Sequence, residues 1–141
     1  MFEQLVYVSR AAPGIATRDA YDIIRISHNR NSQFGLTGGL LFIDGHFVQV
    51  LEGDGFRLRQ RYAVIAADTR HTDVQLRHTH ASAAPLFPGE WMALRSEGEI
   101  SAAVKARFDY LPGLPATHFD GQRIVAFVLA CCRQREVECV G

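Results

Sequence analysis

Two apolar runs, Leu40–Ile43 and Phe47–Leu51, flank Asp44-Gly45 within the stretch Leu36–Gly53. That dipeptide suits a tight turn with positive φ, so the pattern predicts a β-hairpin. Residues two apart in a strand share a face, which puts Gln49 beside Phe47 and Leu51. An amide in the middle of an apolar face costs about 1–3 kcal/mol unless something meets it. Alternation over Phe2–Ser9 predicts a first strand, again with a polar tip, the Tyr7 hydroxyl, at its middle. Pro13-Gly14 marks a loop, and Thr17 is placed to cap a helix with Asp19 in its first turn. That helix reads to about Asn31, with a stripe Ala20, Ile23/Ile24, Ser27, Asn31 that begins apolar and ends polar. After Asp54-Gly55 a second helix is expected over about Phe56–Ala67, with a stripe of Leu58, Tyr62 and Ile65 and Arg61 as a further candidate. Asp68–His71 reads as a polar connection, Val74–Ser82 as a weakly alternating strand, Pro85 to Gly89 as a loop, and Trp91–Arg95 as a short last strand.

The resulting order, β-α-β-β-α-β-β, predicts an α+β, ferredoxin-like βαββαββ sheet with two helices on one face. In that arrangement the first and third strands are central neighbours, and right-handed crossovers put both helices on the same side. Tyr7 and Gln49 then stand side by side, and if both face the helices their tips meet Ser27 and Asn31. From Glu99 onward the character changes. A helix is expected over about Ile100–Phe108, a stiff link over Leu111–Pro115, and a very apolar helix over about Gly121–Arg133. These C-terminal helices suit either of two uses: covering the sheet's other face or packing against another subunit. The division expected is residues 1–97 as the sheet-bearing domain and 98–141 as a C-terminal helical extension.

Composition narrows the function. The 141 residues are 48% hydrophobic and 21% charged, as in an ordinary globular domain. Lys+Arg and Asp+Glu both number 15, so the electrostatic footprint of a nucleic-acid binder is missing. No apolar run approaches the roughly 18 residues of a membrane span, so no membrane partner is expected. The start, MFEQLVYVSR, has no basic region ahead of an apolar one, so no signal peptide is expected. Cys131, Cys132 and Cys139 suit neither a disulfide framework nor a zinc site, and read as reduced thiols of a cytoplasmic protein.

A convergence of polar side chains inside a core has two explanations: a self-satisfied network, or a planar hydrogen-bonding ligand held between apolar walls by Asn31, Gln49 and neighbours. An amide both donates and accepts, which suits a heterocycle edge. Weaker signals compete. Gly45–Val50 faintly resembles an RNA-binding strand, but the neutral charge argues against it. His78 and His80 share a strand face without a third metal ligand at useful spacing, and Arg30 and Arg70, which could grip phosphate, read by spacing alone as solvated surface charge. No nucleophile–base pair stands out for a hydrolase, and no catalytic residue is assigned. Cys131-Cys132 reads as core.

The residues assembled here resemble the BLUF domain family, blue-light sensors using flavin. The resemblance runs from Leu5 to Met92. It rests on the Tyr7 strand, Ser27-x-x-x-Asn31, Leu36-Thr37-Gly38, Phe47-x-Gln49-x-Leu51-Glu52-Gly53, Asp68-x-Arg70-His71 and Phe87 to Met92. It implies a flavin, normally non-covalent FAD with FMN possible, held between the two helices. Asn31 would bond the flavin's polar edge, Gln49 its N5 and O4, and Tyr7 would bond Gln49. Asp68 and Arg70 would help hold the polar edge or ribityl chain, Arg30 would be a further flavin contact, and Ser27 and Met92 would lie behind these. The implied chemistry is photochemistry rather than turnover, so the chain is not expected to be an enzyme. An electron and proton leave Tyr7 with Gln49 as relay, and Gln49 ends rotated or tautomerised beside a flavin with red-shifted absorption. The family often has Trp two residues before the Met; here Glu90 holds that place, and Trp91 falls on the face opposite Met92 unless a bulge intervenes. The signal is expected to leave by contact with an unknown effector protein, from a homo-oligomer. The alternative is a ferredoxin-like regulatory module without photochemistry.

Overall fold

The computed structural model describes residues 2–16, 18, 19, 22, 35–81, 85–87 and 93–140, with side chains at all of these except 93, 97 and 134–140. Five strands, β1 (Phe2–Ala11), β2 (Thr37–Ile43), β3 (His46–Asp54), β4 (His71–Ala81) and β5 (Ala93–Ser96), form one sheet in the order β4-β1-β3-β2-β5. β1 runs antiparallel to both β3 and β4, β2 antiparallel to β3, and β5 parallel to β2. This is the ferredoxin-like arrangement with one added edge strand, as the element order predicts. Helix α1 (Gly55–Ala66) follows β3, and α2 (Ala102–Arg107) and α3 (Gly121–Val140) follow β5. Of the first predicted helix only Arg18, Asp19 and Asp22 are described, all helical; the remainder lies outside the described residues.

Local chemistry accounts for the boundaries. Asp44 and Gly45 both take positive φ, +50° and +71°, so the β2–β3 hairpin closes through a two-residue turn whose twist matches its strands. The Asp54 carboxylate caps α1 by accepting from the Arg57 N–H, and Ser101 Oγ caps α2 by accepting from that of Val104. That cap starts α2 after Ser101, slightly later than its pattern predicts, while α3 runs on beyond Arg133 to Val140. The last strand, expected over Trp91–Arg95, is described over Ala93–Ser96. β4 begins at His71, not Val74, because two irregularities against β1, at Val6/Tyr7 and Val8/Arg10, interrupt the alternation that would mark its start.

Strand parity sorts the core into two layers. Leu5, Tyr7, Leu40, Phe47 and Leu51 face one side and pack with Leu58 of α1. Val6, Val8, Leu41, Val48 and Val50 face the other and pack with Ile124, Phe127 and Val128 of α3. Both faces of β1 and β3 are therefore buried along most of their length. Of the two uses open to the apolar C-terminal helix, the structure shows the first: it covers its own sheet. Cys131 and Cys132 are buried there and neither is in a disulfide among the described residues, and burial pushes the Cys131 thiol up to about 12, so it stays protonated and inert.

Candidate functional site

On the face shared with α1, Tyr7 and Gln49 are directly opposed across β1 and β3. Both are buried, and the Tyr7 Oη–H donates to Gln49 Oε1 at 2.5 Å. The parity inferred from sequence therefore holds on both strands. Burial raises the Tyr7 phenol well above its ordinary value, while the positive charge of buried Arg61 on α1 pulls the other way. The phenol keeps its proton and acts as donor. With Oε1 taken by that donor, the Nε2 end of the amide has only protons to offer. Apolar side chains of Leu5, Leu40, Phe47, Leu51 and Leu58 surround the pair, and the Tyr62 ring lies 5.9 Å from that of Tyr7 at 52°.

His71, read from sequence as part of a polar connection, is buried in this layer. Its ring stands edge-on to Tyr7 at 5.9 Å and to Phe47 at 6.1 Å. Nε2 lies 2.6 Å from the Ile65 carbonyl at the end of α1, and Nδ1 lies 2.7 Å from Ser9 Oγ. A carbonyl can only accept, so Nε2 carries the proton, and in the neutral ring Nδ1 accepts from the Ser9 hydroxyl. The ring thus ties β1, β4 and the end of α1 together behind Tyr7. The interrupted alternation of β4 removed the one pattern that would have revealed it.

Asp68 and Arg70 form a compact ion pair at the end of α1. Arg70 Nε donates to Oδ1 at 2.9 Å and to Oδ2 at 3.1 Å, its Nη2 also meets Oδ2, and its backbone N–H donates to Oδ1 at 2.9 Å. The Arg70 hydrogen bonds hold the Asp68 carboxyl at about 2, well below the usual aspartate range. Arg70 is therefore satisfied by a neighbour, and the phosphate-gripping alternative gains nothing here. Ser27, Arg30, Asn31 and Met92, together with Glu90 and Trp91, lie outside the described residues.

The described donor set fits a flavin. A flavin presents acceptors at N5 and O4 on a flat apolar ring, and the site offers amide protons from Gln49 beside a buried apolar layer. Competing readings fare worse. Phe47, the aromatic of the RNA-binding pattern, is buried. His78 and His80 stack on each other at 5.6 Å, and among the described residues no group of three or more metal-ligating side chains gathers. No helix among the described residues is long and apolar enough to cross a membrane.

Comparison with known proteins points the same way. The family model "Sensors of blue-light using FAD" matches residues 2–93. The photoactivated adenylate cyclase subunit beta of Euglena longa is 34% identical over 110 residues, which are 78% of this chain and 13% of that protein. The chain thus spans only a small part of the length of that relative. The dark-state structure of BlrB, a BLUF protein, superposes with a TM-score of 0.75 at 28% identity, covering 95% of this chain and 96% of that one. BlrP1 of Klebsiella pneumoniae, solved with FMN and cyclic diGMP, gives a TM-score of 0.71 at 25% identity, covering 100% of this chain and 37% of that one.

Proposed function

Because this chain belongs to the BLUF family of blue-light sensors using FAD, we propose that it senses blue light through a hydrogen-bond switch formed by Tyr7 and Gln49. The observation that carries this reading is the buried Tyr7 Oη–H to Gln49 Oε1 bond between neighbouring central strands. A bound flavin would supply light absorption and one-electron redox chemistry. Gln49 would hold it through Nε2, with Asn31 at the polar edge, Arg30, Asp68 and Arg70 near that edge or the ribityl chain, and Ser27 and Met92 behind them. Tyr7 holds a proton and an electron-rich ring against the amide. Gln49 has two ends of opposite hydrogen-bonding sense, so rotating or tautomerising it exchanges an acceptor for a donor facing Tyr7. Two discrete patterns in one buried place make a bistable element. The role is sensing, not turnover, and no residue is assigned to catalysis.

The flavin we propose is FAD, as the family's description has it, with FMN the alternative. The sensor module is read as residues 1–97, with 98–141 as a helical extension. The output is a contact with an effector protein. Residues 121–132 spend their apolar face on their own sheet, so a homo-oligomer would form through other surfaces. The deciding measurement is an absorption spectrum of the flavin-loaded chain in darkness and after blue illumination. A reversible red shift is expected; a protein that cannot be reconstituted with flavin, or whose flavin spectrum ignores light, would refute the reading. Chromatography of the heat-released flavin separates FAD from FMN.

A further inference from the structure

Glu52 is fully buried on β3, yet the described partners it meets are all neutral donors. Oε1 accepts from Thr37 Oγ1 at 2.9 Å and from the Phe87 backbone N–H at 2.8 Å. Oε2 accepts from the Leu86 backbone N–H at 2.9 Å and, more weakly, from Gln4 Nε2 at 3.5 Å. A carboxylate is acceptor only, so both of its oxygens are engaged. Burying such a group is costly unless every donor stays in place. Two of those donors are consecutive amides of the segment that leads into β5. Glu52 therefore clamps that segment to the strand that carries Gln49.

We propose that Glu52 is the positioning residue that transmits the state of Gln49 to β5 and α3. The proposal rests on the photosensing reading and adds a route out of the site. Two rungs of the sheet define the route. On the Tyr7 face, Tyr7, Gln49, Leu40 and Leu94 lie opposite one another across β1, β3, β2 and β5. Three residues along β3, on the other face, Gln4, Glu52 and Thr37 form a second rung. Phe87, held by Glu52, packs in the layer under β2. A Cβ on Gly39 would meet the Phe87 ring at 3.0 Å and Cys132 Sγ at 2.9 Å, so a bare glycine lets the ring and α3 seat there together. Gly39 itself pairs with Ala93 at the start of β5. Arg95 of β5 closes the circuit by donating through Nη2 to the Cys132 carbonyl at 2.7 Å. A shift of β3 against β2 thus loads the Glu52 clamp on one face and Leu94 on the other, and both end at β5 and α3.

The test is hydrogen exchange by mass spectrometry on the flavin-loaded full chain, in darkness and under continuous blue light, with the flavin spectrum read separately. In the wild type, light is expected to speed exchange in peptides spanning 85–96 and 122–132. Glu52→Gln replaces one carboxylate oxygen with an amino donor, so one of the two backbone N–H groups loses its acceptor. It should keep the red shift, raise dark exchange of those peptides about tenfold and abolish their response to light. Thr37→Val keeps the carboxylate and removes one donor, and should show the same change in smaller degree. A Glu52→Gln protein with the wild-type light response would overturn the proposal. So would a wild type whose flavin shifts red while these peptides ignore light. If Glu52→Gln fails to fold, an unaltered exchange pattern in Thr37→Val would overturn it instead. A chain with no red shift at all is recognised by its spectrum as a failure of the photosensing reading itself, and takes this proposal with it.

Discussion

Tyr7 and Gln49 form a hydrogen bond that neither residue could make alone in that layer, and their substitutions should separate binding from switching. Tyr7→Phe removes the donor at a cost of about 1 kcal/mol but keeps the ring, so flavin binding should persist while the red shift disappears. A Phe variant reaching the shifted state at wild-type yield would contradict the assignment. Gln49→Leu fills the same volume without an amide. It takes the acceptor from the buried Tyr7 hydroxyl, so it should lower the melting temperature modestly and abolish the red shift; a red shift retained at wild-type yield would overturn the role of Gln49, whereas a module without photochemistry would show no red shift in either protein. Asp68 tests electrostatics at the edge of the site. Its folded value of about 2 lies below the ordinary aspartate value of about 3.9, so folding favours the ionised form. The contribution is fully present above about pH 4 and is lost as pH falls through about 2. The pair is partly exposed, so Asp68→Asn should cost no more than about 1 kcal/mol at pH 7, and urea titrations should show the gap closing as pH falls from about 4 toward 2. A gap that widened in acid would have the wrong sign.

At the scale of elements, glycines in β2 are set by close approach rather than by turns. A Cβ at Gly38 would sit 1.9 Å from the Val50 carbonyl oxygen, so Gly38→Ala should destabilise by about 3 kcal/mol. Gly98→Ala, at a position with nothing within 4 Å, is the control and should stay within about 0.5 kcal/mol. Equal effects in denaturant melts would mean β2 and β3 are not packed as described. Helix α1 bears out its stripe: Leu58 and Arg61 are buried, and Tyr62 and Ile65 pack partly buried on the layer around Tyr7, while Phe56, outside the stripe, is 64% exposed. β4 shows where a pattern fails. Its irregular register moved His71 from an expected loop to the back of the site.

For the whole molecule, the family match ends at residue 93 but the core does not. Val6, Val8, Val48 and Val50 pack directly against α3. A chain cut after residue 97 should therefore melt lower, bind a hydrophobic dye and tend to associate, since exposed apolar patches of this kind drive aggregation. A truncated protein that is monodisperse and melts like the full chain would show that the sheet's second face is stable without its cover. The same layer joins the tail to β5 through Arg95 and Cys132, so cover and signalling route share residues.

Local pattern was enough to determine the hairpin at Asp44-Gly45, the element order, and hence the ferredoxin-like topology, because turn chemistry and strand parity act over a few residues. It made Tyr7 and Gln49 central neighbours but left their shared face conditional on parity, which the register of β1 against β3 then decided. What only the tertiary structure decided depends on residues far apart in the chain: which of two uses the apolar tail takes, the burial of His71 between Ser9 and Ile65, and the clamp at Glu52. A carboxylate after an apolar run looks like the solvated end of a strand until a loop more than thirty residues later brings two amides to it. Such a contact has no period and no spacing, because it is made by closure of the whole fold.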